Sequence, residues 1–230
     1  MTSWMKNGRF GRHKGFLLLF AAGAIFTILQ LSYSYFTTVR YPSAKVVIDT
    51  TDLRNGDLLF RNGYGAESRF VTGISNGDYS HIAFAYRGED GWKAVHAVPG
   101  ESQNIHDKDF LKCEPIEDFY QQNRACSGAF ACVDCTDSIA WQALSFALDK
   151  VKRKFSFDHS YLLDDSNQYY CTELIYRAYL QAGINLADER RHEMPMPGTD
   201  GRFIFPSDIL ASPLIRKVRK LAVCQMGTTQ

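Results

Sequence analysis

The sequence lacks an excess of charge of either sign. Its 26 basic and 25 acidic residues leave a formal net charge of +1. No basic block dominates the body of the chain, and nucleic-acid binding requires a basic patch that neutralises phosphates. We therefore expect no nucleic-acid partner. The sequence also lacks an internal repeat, and its 230 residues suffice for one domain of ordinary size with an extension.

The spacing of a metal site is missing as well. Cys126, Cys132 and Cys135 lie close together, but no second pair of Cys or His follows them at zinc-binding distance. We therefore expect no metal ion and favour a disulfide within this group. The pairing stays open, because Cys113 and Cys224 are also available and spacing does not determine connectivity.

Polar side chains are almost absent from residues 15–31. An apolar run of about twenty residues crosses a bilayer as a helix. Basic residues precede the run, which places the N-terminus in the cytoplasm, and Tyr33 and Tyr35 suit the far interface. We expect a cytoplasmic segment at residues 1–14 and an uncleaved transmembrane anchor at residues 15–36, with a cleaved signal as the alternative. Either way the body lies outside the cytoplasm, in the periplasm, held at the inner membrane or released from it.

Beyond the anchor, short strand patterns alternate with a few helices. We expect a tether over residues 37–50, an α+β domain, and a tail over residues 219–230. The expected elements, from residue periodicity and turn signals, are strands at 57–60, 81–86, 92–98 and 128–133, helices at 67–74, 138–155 and 171–182, a short helix at 205–210, and a strand or helix at 214–223.

Cys171 begins the most informative of these helices. A polar loop precedes it, Leu174, Ile175 and Ala178 follow on one helical face, and Gly183 ends the pattern. A cysteine in a first helical turn lies near unpaired amide groups and the positive end of the helix dipole, which stabilise a thiolate. A buried structural cysteine is the simpler interpretation for any single cysteine.

Thiol chemistry needs a base, and two of the six histidines stand out. His81 and His96 each lie in an apolar strand pattern, whereas the others lie in polar loops or before the apolar run. A hairpin over residues 80–98 would place the two on neighbouring strands, as a base and the group that orients it. For either histidine alone, a hydrogen-bonded core residue is the simpler interpretation.

The order of the motif segments along the chain resembles that of a known family. The segments GDLLF at 56–60, SHIA at 80–83 and VHA at 95–97 are similar to strands of NlpC-type cell-wall peptidases, but here the cysteine helix follows them. That order resembles the circularly permuted papain-like amidases of the YiiX/YebB type, and lecithin-retinol-acyltransferase-like enzymes share it. The resemblance covers about residues 50–215. It implies a permuted papain-like catalytic domain over residues 51–218, with a small antiparallel sheet packed against the cysteine helix.

The resemblance also implies a role for each residue. Cys171 would be the nucleophile, His81 the general base, and His96 the third member that holds His81 in the required tautomer. Permuted members often carry glutamate at the third position, whereas this chain has histidine, as many unpermuted relatives do. No metal or organic cofactor is implied. Tyr170 and Thr172 are expected to shape the cleft. Asp57 is interpreted as a structural acceptor at a turn or strand end, with a place in the cleft as the alternative.

Three functions remain open at this point. The first is an exported cysteine hydrolase that cleaves amide bonds, with cell-wall peptides as the substrate class. The second is a lipid acyl hydrolase or acyltransferase of the lecithin-retinol-acyltransferase type, which the predicted anchor favours. The third is a non-catalytic envelope scaffold, which the presence of Cys171, His81 and His96 disfavours. The expected partners are a peptide or acyl-bearing substrate in the cell envelope and the membrane itself.

Overall fold

Short strands make up most of the regular structure in the computed structural model. It describes residues 44–101, 109–161, 163, 167–188, 192–193 and 202–225. The strands are β1 (Ala44–Val47), β2 (Leu58–Asn62), β3 (His81–Gly88), β4 (Gly91–His96), β5 (Lys112–Pro115), β6 (Ser127–Val133), β7 (Ser156–Phe157), β8 (Gln168–Tyr169), β9 (His192–Glu193), β10 (Arg202–Phe203), β11 (Ile215–Lys220) and β12 (Ala222–Gln225). The helices are α1 (Ala66–Ser75), α2 (Ile116–Phe119), α3 (Asp137–Lys152), α4 (Cys171–Gln181) and α5 (Pro206–Leu210).

The predicted transmembrane segment at residues 15–36 lies outside the described residues. Within the described ranges, no helix is both long and apolar enough to cross a membrane.

Six strands form one antiparallel sheet in the order β11-β6-β2-β3-β4-β5. The hairpin predicted over residues 80–98 is confirmed, since β3 and β4 are paired with Phe84 opposite Val95. Successive strand residues point to opposite faces. Ile82 and Phe84 therefore enter a larger core cluster that contains residues of α3 and α4. Ala83 and Ala85 enter a smaller cluster on the other face, where α2 packs.

Helices α3 and α4 cover the face of the larger cluster. Thr136 caps α3 by accepting a hydrogen bond from the Ile139 N–H, with 3.4 Å between nitrogen and oxygen. The helix ends before the residue predicted, because Lys154 takes a positive φ of 56°. Helix α4 begins at Cys171 as predicted, and Gly183 follows its last turn with a φ of 87°.

The turn before β2 joins the sheet to both of these helices. Gly56 has a φ of 90°, and a Cβ at this position would lie 2.8 Å from the Ala140 Cβ of α3. The Tyr179 hydroxyl of α4 donates to the Gly56 carbonyl at 2.7 Å. Asp57 is buried and accepts a hydrogen bond from Arg54 Nε at 3.0 Å. The Gly-Asp segment therefore fixes the sheet against the helices.

Two segments predicted to lie outside the domain pair with each other. Strand β1 runs antiparallel to β12, with Val46 opposite Val223, and Val46 is buried in the smaller cluster. Part of the expected tether at residues 37–50 and part of the expected tail at residues 219–230 therefore belong to the folded unit. This pairing joins residues far apart in sequence, which local patterns do not reveal.

The disulfide predicted among Cys126, Cys132 and Cys135 is not formed, and all six cysteines, each within the described ranges, are free thiols. Cys126 precedes β6 and Cys132 lies near its end. Six residues of extended chain separate their Cα atoms by about 20 Å, whereas a disulfide spans no more than about 7 Å. Instead, Cys126 Sγ donates to the Asn62 carbonyl at 3.3 Å, and Cys132 Sγ donates to Asp57 Oδ2 at 3.4 Å.

Candidate active site

A cavity of about 590 Å³ lies where β2 ends, β3 begins and α4 starts. Cavities of this size bind small molecules or the end of a longer substrate chain. Cys171 and His81 both line it, although about half of the described chain lies between them. The fold therefore brings the predicted nucleophile and the predicted base to one cavity.

Cys171 occupies the first position of α4, after an extended N-cap residue, Tyr170. Its Sγ lies 3.6 Å from Thr172 Oγ1, and the backbone amides of Ile82 and Thr172 act to lower the pKa of the thiol. Because Ile82 directly follows His81 in β3, one of the amides that acts on the sulfur belongs to the strand that carries the imidazole.

The environment of Cys171 is less favourable to a thiolate than the sequence suggested. Burial raises the pKa of the thiol, and the hydrogen bonds from Thr172 and Ile82 oppose that shift without cancelling it. We expected the start of the helix to stabilise the thiolate and lower the pKa of Cys171. That expectation is corrected, because the removal of the sulfur from water raises the pKa by more than the helix start lowers it. Cys171 is a neutral thiol at neutral pH and needs a base to react.

His81 and His96 form a hydrogen-bonded pair on the smaller-cluster face of the sheet. His81 Nε2 lies 2.8 Å from His96 Nδ1. The Phe119 ring of α2 packs against both imidazoles, with centroid distances of 5.7 Å to His81 and 5.2 Å to His96. This packing and the hydrogen bond hold the His81 ring in one orientation at the cavity.

Both imidazoles are neutral at neutral pH. Burial lowers the pKa of His81 well below its ordinary value, and the positive charge of Arg61 adds to the effect. Burial also lowers the pKa of His96, although the Glu114 carboxylate opposes the shift. A neutral imidazole carries a free lone pair, so His81 can accept a proton from a neighbouring thiol.

A carboxylate that the sequence analysis did not identify lies beyond the pair. Glu114 of β5 places Oε1 3.1 Å from His96 Nε2. Arg124 Nη1 donates to both Glu114 carboxylate oxygens at 3.0 Å. Burial alone would raise the pKa of Glu114, but the hydrogen bond from His96 and the charge of Arg124 outweigh it and lower the pKa to about 2. No pattern in the sequence analysis indicated Glu114, because it reaches His96 only through the pairing of β5 with β4, which places Glu114 opposite Ala94.

The three residues expected at the cleft divide into two groups. Tyr170 and Thr172 line the cavity on either side of Cys171 in sequence. Asp57 does not line it. Its side chain is buried against Arg54 and Cys132, so its role is structural rather than part of the cleft.

Helix α1 supplies a further wall of the cavity. Glu67, Phe70 and Val71 line it, yet no residue of α1 is buried. The Tyr161 hydroxyl donates to Glu67 Oε1 at 3.1 Å and so connects α1 to the loop that precedes α4. Tyr161 itself packs against Tyr170, with ring centroids 5.5 Å apart.

Among the residues that the structure describes, no group of three or more His, Cys, Asp or Glu could hold a metal ion.

The comparison with protein families decides the classification. Residues 52–195 match the model of the permuted papain-like amidase enzymes, the YaeF/YiiX, C92 family. The chain belongs to this family. It is therefore a cysteine hydrolase that acts on amides, and the permuted order predicted from the sequence is confirmed.

A solved structure supports the fold of this C92 amidase. The crystal structure of metalloprotein yiiX from Escherichia coli O157:H7 is 14% identical, with a TM-score of 0.56. The match covers 74% of this chain and 96% of that chain. At that identity the likeness shows the fold alone. None of the curated proteins compared with the sequence matches it.

Proposed function

We propose that Cys171 and His81 are the nucleophile and the general base with which this C92 amidase cleaves amide bonds. One observation carries the proposal: Cys171, the first residue of α4, and His81, the first residue of β3, line the same cavity. A thiol nucleophile requires a base within reach and a group that orients that base. His96 is the orienting group in this proposal, through its 2.8 Å hydrogen bond to His81.

The reaction follows from the protonation states of the site. His81 Nε2 is engaged with His96, which leaves Nδ1 to take the proton from the Cys171 thiol. The sulfur then attacks the carbonyl carbon of the substrate, and the backbone N–H of Cys171 stabilises the oxyanion. The imidazolium returns the proton to the leaving amine, and a thioester remains on Cys171. Water, deprotonated by His81, releases the acyl group and restores the thiol.

Cell-wall peptides outside the cytoplasm are the proposed substrates. The sequence supports this through the apolar run at residues 15–31 and the basic residues before it, which favour export and an inner-membrane anchor. A peptide or acyl-bearing substrate in the envelope would then be within reach of the anchored domain. Neither nucleic acid nor a cofactor takes part in the proposed reaction.

A lipid substrate is the second candidate, and one observation favours it. Much of the cavity wall is apolar and aromatic, which suits an acyl chain as well as an apolar peptide side chain. The apolar lining residues include Phe70, Val71, Phe157, Phe203, Ile204 and Phe205. On this alternative, the same sulfur would attack an ester or amide carbonyl of a lipid.

The two candidates are separated by a paired assay on the full-length chain. The protein is incubated with muropeptides and, in parallel, with phospholipid vesicles, and products are identified by mass spectrometry. We expect muropeptide cleavage that disappears in Cys171→Ala, while Cys224→Ala, a change at an exposed cysteine, keeps it. Release of fatty acid without muropeptide cleavage would favour the lipid candidate. Activity that survives in Cys171→Ala would overturn the assignment of the nucleophile.

A further inference from the structure

We propose that Glu114 is a positioning residue that sets the tautomers of His96 and His81 and stabilises positive charge on the pair. The inference rests on the proposed function, because it gives Glu114 a role only if His81 is the base for Cys171. It adds a fourth member, a carboxylate, to a site whose third member is a histidine. The contacts that support this inference run from Glu114 on β5, through His96 on β4, to His81 on β3.

The direction of each hydrogen bond follows from the ionised carboxylate. A carboxylate accepts but cannot donate, so the 3.1 Å contact between Glu114 Oε1 and His96 Nε2 requires a proton on that nitrogen. A neutral His96 then carries a lone pair on Nδ1. The 2.8 Å contact to His81 Nε2 therefore requires the proton on His81. That leaves a lone pair on His81 Nδ1, the nitrogen available to the thiol of Cys171.

The charge of Glu114 has a second effect. When His81 takes the thiol proton, the pair becomes positive, and a carboxylate bonded to its outer member stabilises that charge. Arg124 keeps Glu114 ionised and holds both of its oxygens. Without the carboxylate, the pair would face mostly cations.

The other charged groups around the pair belong to neighbouring elements. Arg61 of β2 and Lys112 of β5 lower the proton affinity of His81. Glu101 forms ion pairs with Arg61 and with Arg124, the latter at 3.4 Å. Its negative charge therefore acts mainly on those two arginines and less on the imidazole pair. Glu114 is the carboxylate that directly contacts an imidazole of the pair.

A change of Glu114 to glutamine disturbs both effects. An amide has one acceptor oxygen, whereas Glu114 presents two oxygens to Arg124 and one of them also to His96. In either orientation, the amide NH₂ faces a group that must donate. When the amide NH₂ faces His96, it donates to His96 Nε2 and favours the opposite tautomer of both rings. In that tautomer His81 Nδ1 carries a proton and has no lone pair for the thiol. The negative charge disappears in both orientations.

The test measures the alkylation rate of Cys171 by iodoacetamide in the full-length chain, read by peptide mapping from pH 6 to pH 10.5. We expect Glu114→Gln to slow the reaction at pH 7 by about 10-fold, similar to the loss when a carboxylate that orients a metal-binding histidine is removed. The rates should converge to within about 2-fold at high pH, where the thiol ionises without a base. Glu117→Gln, an exposed carboxylate in the next helix, serves as the matched control and should leave both rates unchanged.

His81→Ala separates this inference from the proposed function. If His81→Ala leaves the rate at pH 7 unchanged, the proposed base is wrong, and the role of Glu114 fails with it. If His81→Ala slows the reaction and Glu114→Gln does not, only the role of Glu114 is overturned. An equal slowing by Glu114→Gln at pH 7 and at high pH would also overturn it, because general disruption of the fold acts at every pH.

Discussion

Helices α1 and α4 are two walls of the same cavity, but they are held very differently. In α4, which begins at Cys171, most residues are buried against the sheet and α3: Thr172, Glu173, Leu174, Ile175, Tyr176, Ala178 and Tyr179. In α1 no residue is buried, and Phe70 is 49% exposed. The chemistry therefore lies on the fixed wall. The loosely held wall carries apolar side chains that a substrate would cover.

This difference assigns a separate task to each wall. A nucleophile must stay within about half an ångström of its reactive position, and the packing of α4 provides that constraint. Side chains that gain burial only when a substrate is present can adjust to it. We therefore expect changes in α4 to alter chemistry and stability, and changes in α1 to alter substrate affinity.

The largest effect is expected from removing the sulfur. Cys171→Ala should lower kcat/KM for amide hydrolysis by at least about a thousandfold, because loss of a nucleophile removes the covalent route. Phe70→Ala on α1 should act mainly on KM, by about 10-fold or less, since it removes apolar contact with the substrate. Steady-state kinetics on the cleaved muropeptide distinguish the two. A fall in kcat for Phe70→Ala as large as that for Cys171→Ala would contradict the assignment of catalysis to α4 and of substrate affinity to α1.

A stability comparison sharpens the contrast without any substrate. Leu174→Ala in α4 should cost about 2–5 kcal/mol of unfolding free energy, as is usual for a fully buried leucine. Ile74→Ala in α1 should change it by less than about 0.5 kcal/mol, because that side chain is 42% exposed. Urea denaturation followed by circular dichroism measures both. Equal losses would mean that α1 is packed as firmly as α4.

The buried carboxyl of Glu173 in α4 makes the stability of the protein depend on pH. Burial raises the pKa of this carboxyl to about 9, although Arg177 Nε, 3.3 Å away, opposes the shift. The folded state therefore keeps the proton where the unfolded chain releases it, so stability should fall as pH rises from about 5 toward 9. Glu173→Gln keeps the neutral form and should reduce that fall by about 1–3 kcal/mol. Urea midpoints at pH 5 and pH 8 test this, with Glu117→Gln as the exposed control. A parallel decline in wild type and Glu173→Gln would show that Glu173 ionises normally.

The smallest effect concerns the hydrogen bond between α1 and the loop before α4. Tyr161→Phe removes the 3.1 Å bond to Glu67 and leaves the ring in place. Amide hydrogen exchange should become a few-fold faster in α1 and stay unchanged in α4, since local opening depends on local contacts. Mass-spectrometric exchange on the full-length chain resolves the two helices. Unchanged exchange in α1 would show that other contacts hold the helix.

Local patterns in the sequence predicted the parts of the site that lie within single elements. The start of α4 at Cys171 and the β3–β4 hairpin with His81 and His96 follow from periodicity and turn residues. Their meeting in one cavity was reached through the resemblance to a permuted family, which fixes how the elements are arranged. Periodicity alone does not bring a late helix to an early strand.

The remaining parts depend on contacts between distant residues. Glu114 lies in a four-residue strand that ends in Pro115, and only the pairing of β5 with β4 brings it to His96. The pairing of β1 with β12 likewise joins the two ends of the folded unit. The raised pKa of Cys171 depends on how deeply the sulfur is buried, whereas the sequence revealed only its position at a helix start.

The relative alkylation rates of two cysteines give the most direct test of the Cys171–His81 pair. Cys113 is a suitable reference, because it is also partly buried and burial also raises the pKa of its thiol. The full-length chain is treated with limiting iodoacetamide at pH 7, and both peptides are quantified in one digest. We predict that Cys171 reacts at least about 10-fold faster than Cys113 and that His81→Ala removes the advantage. Equal rates in the wild-type chain, or an advantage that survives in His81→Ala, would contradict a catalytic pair.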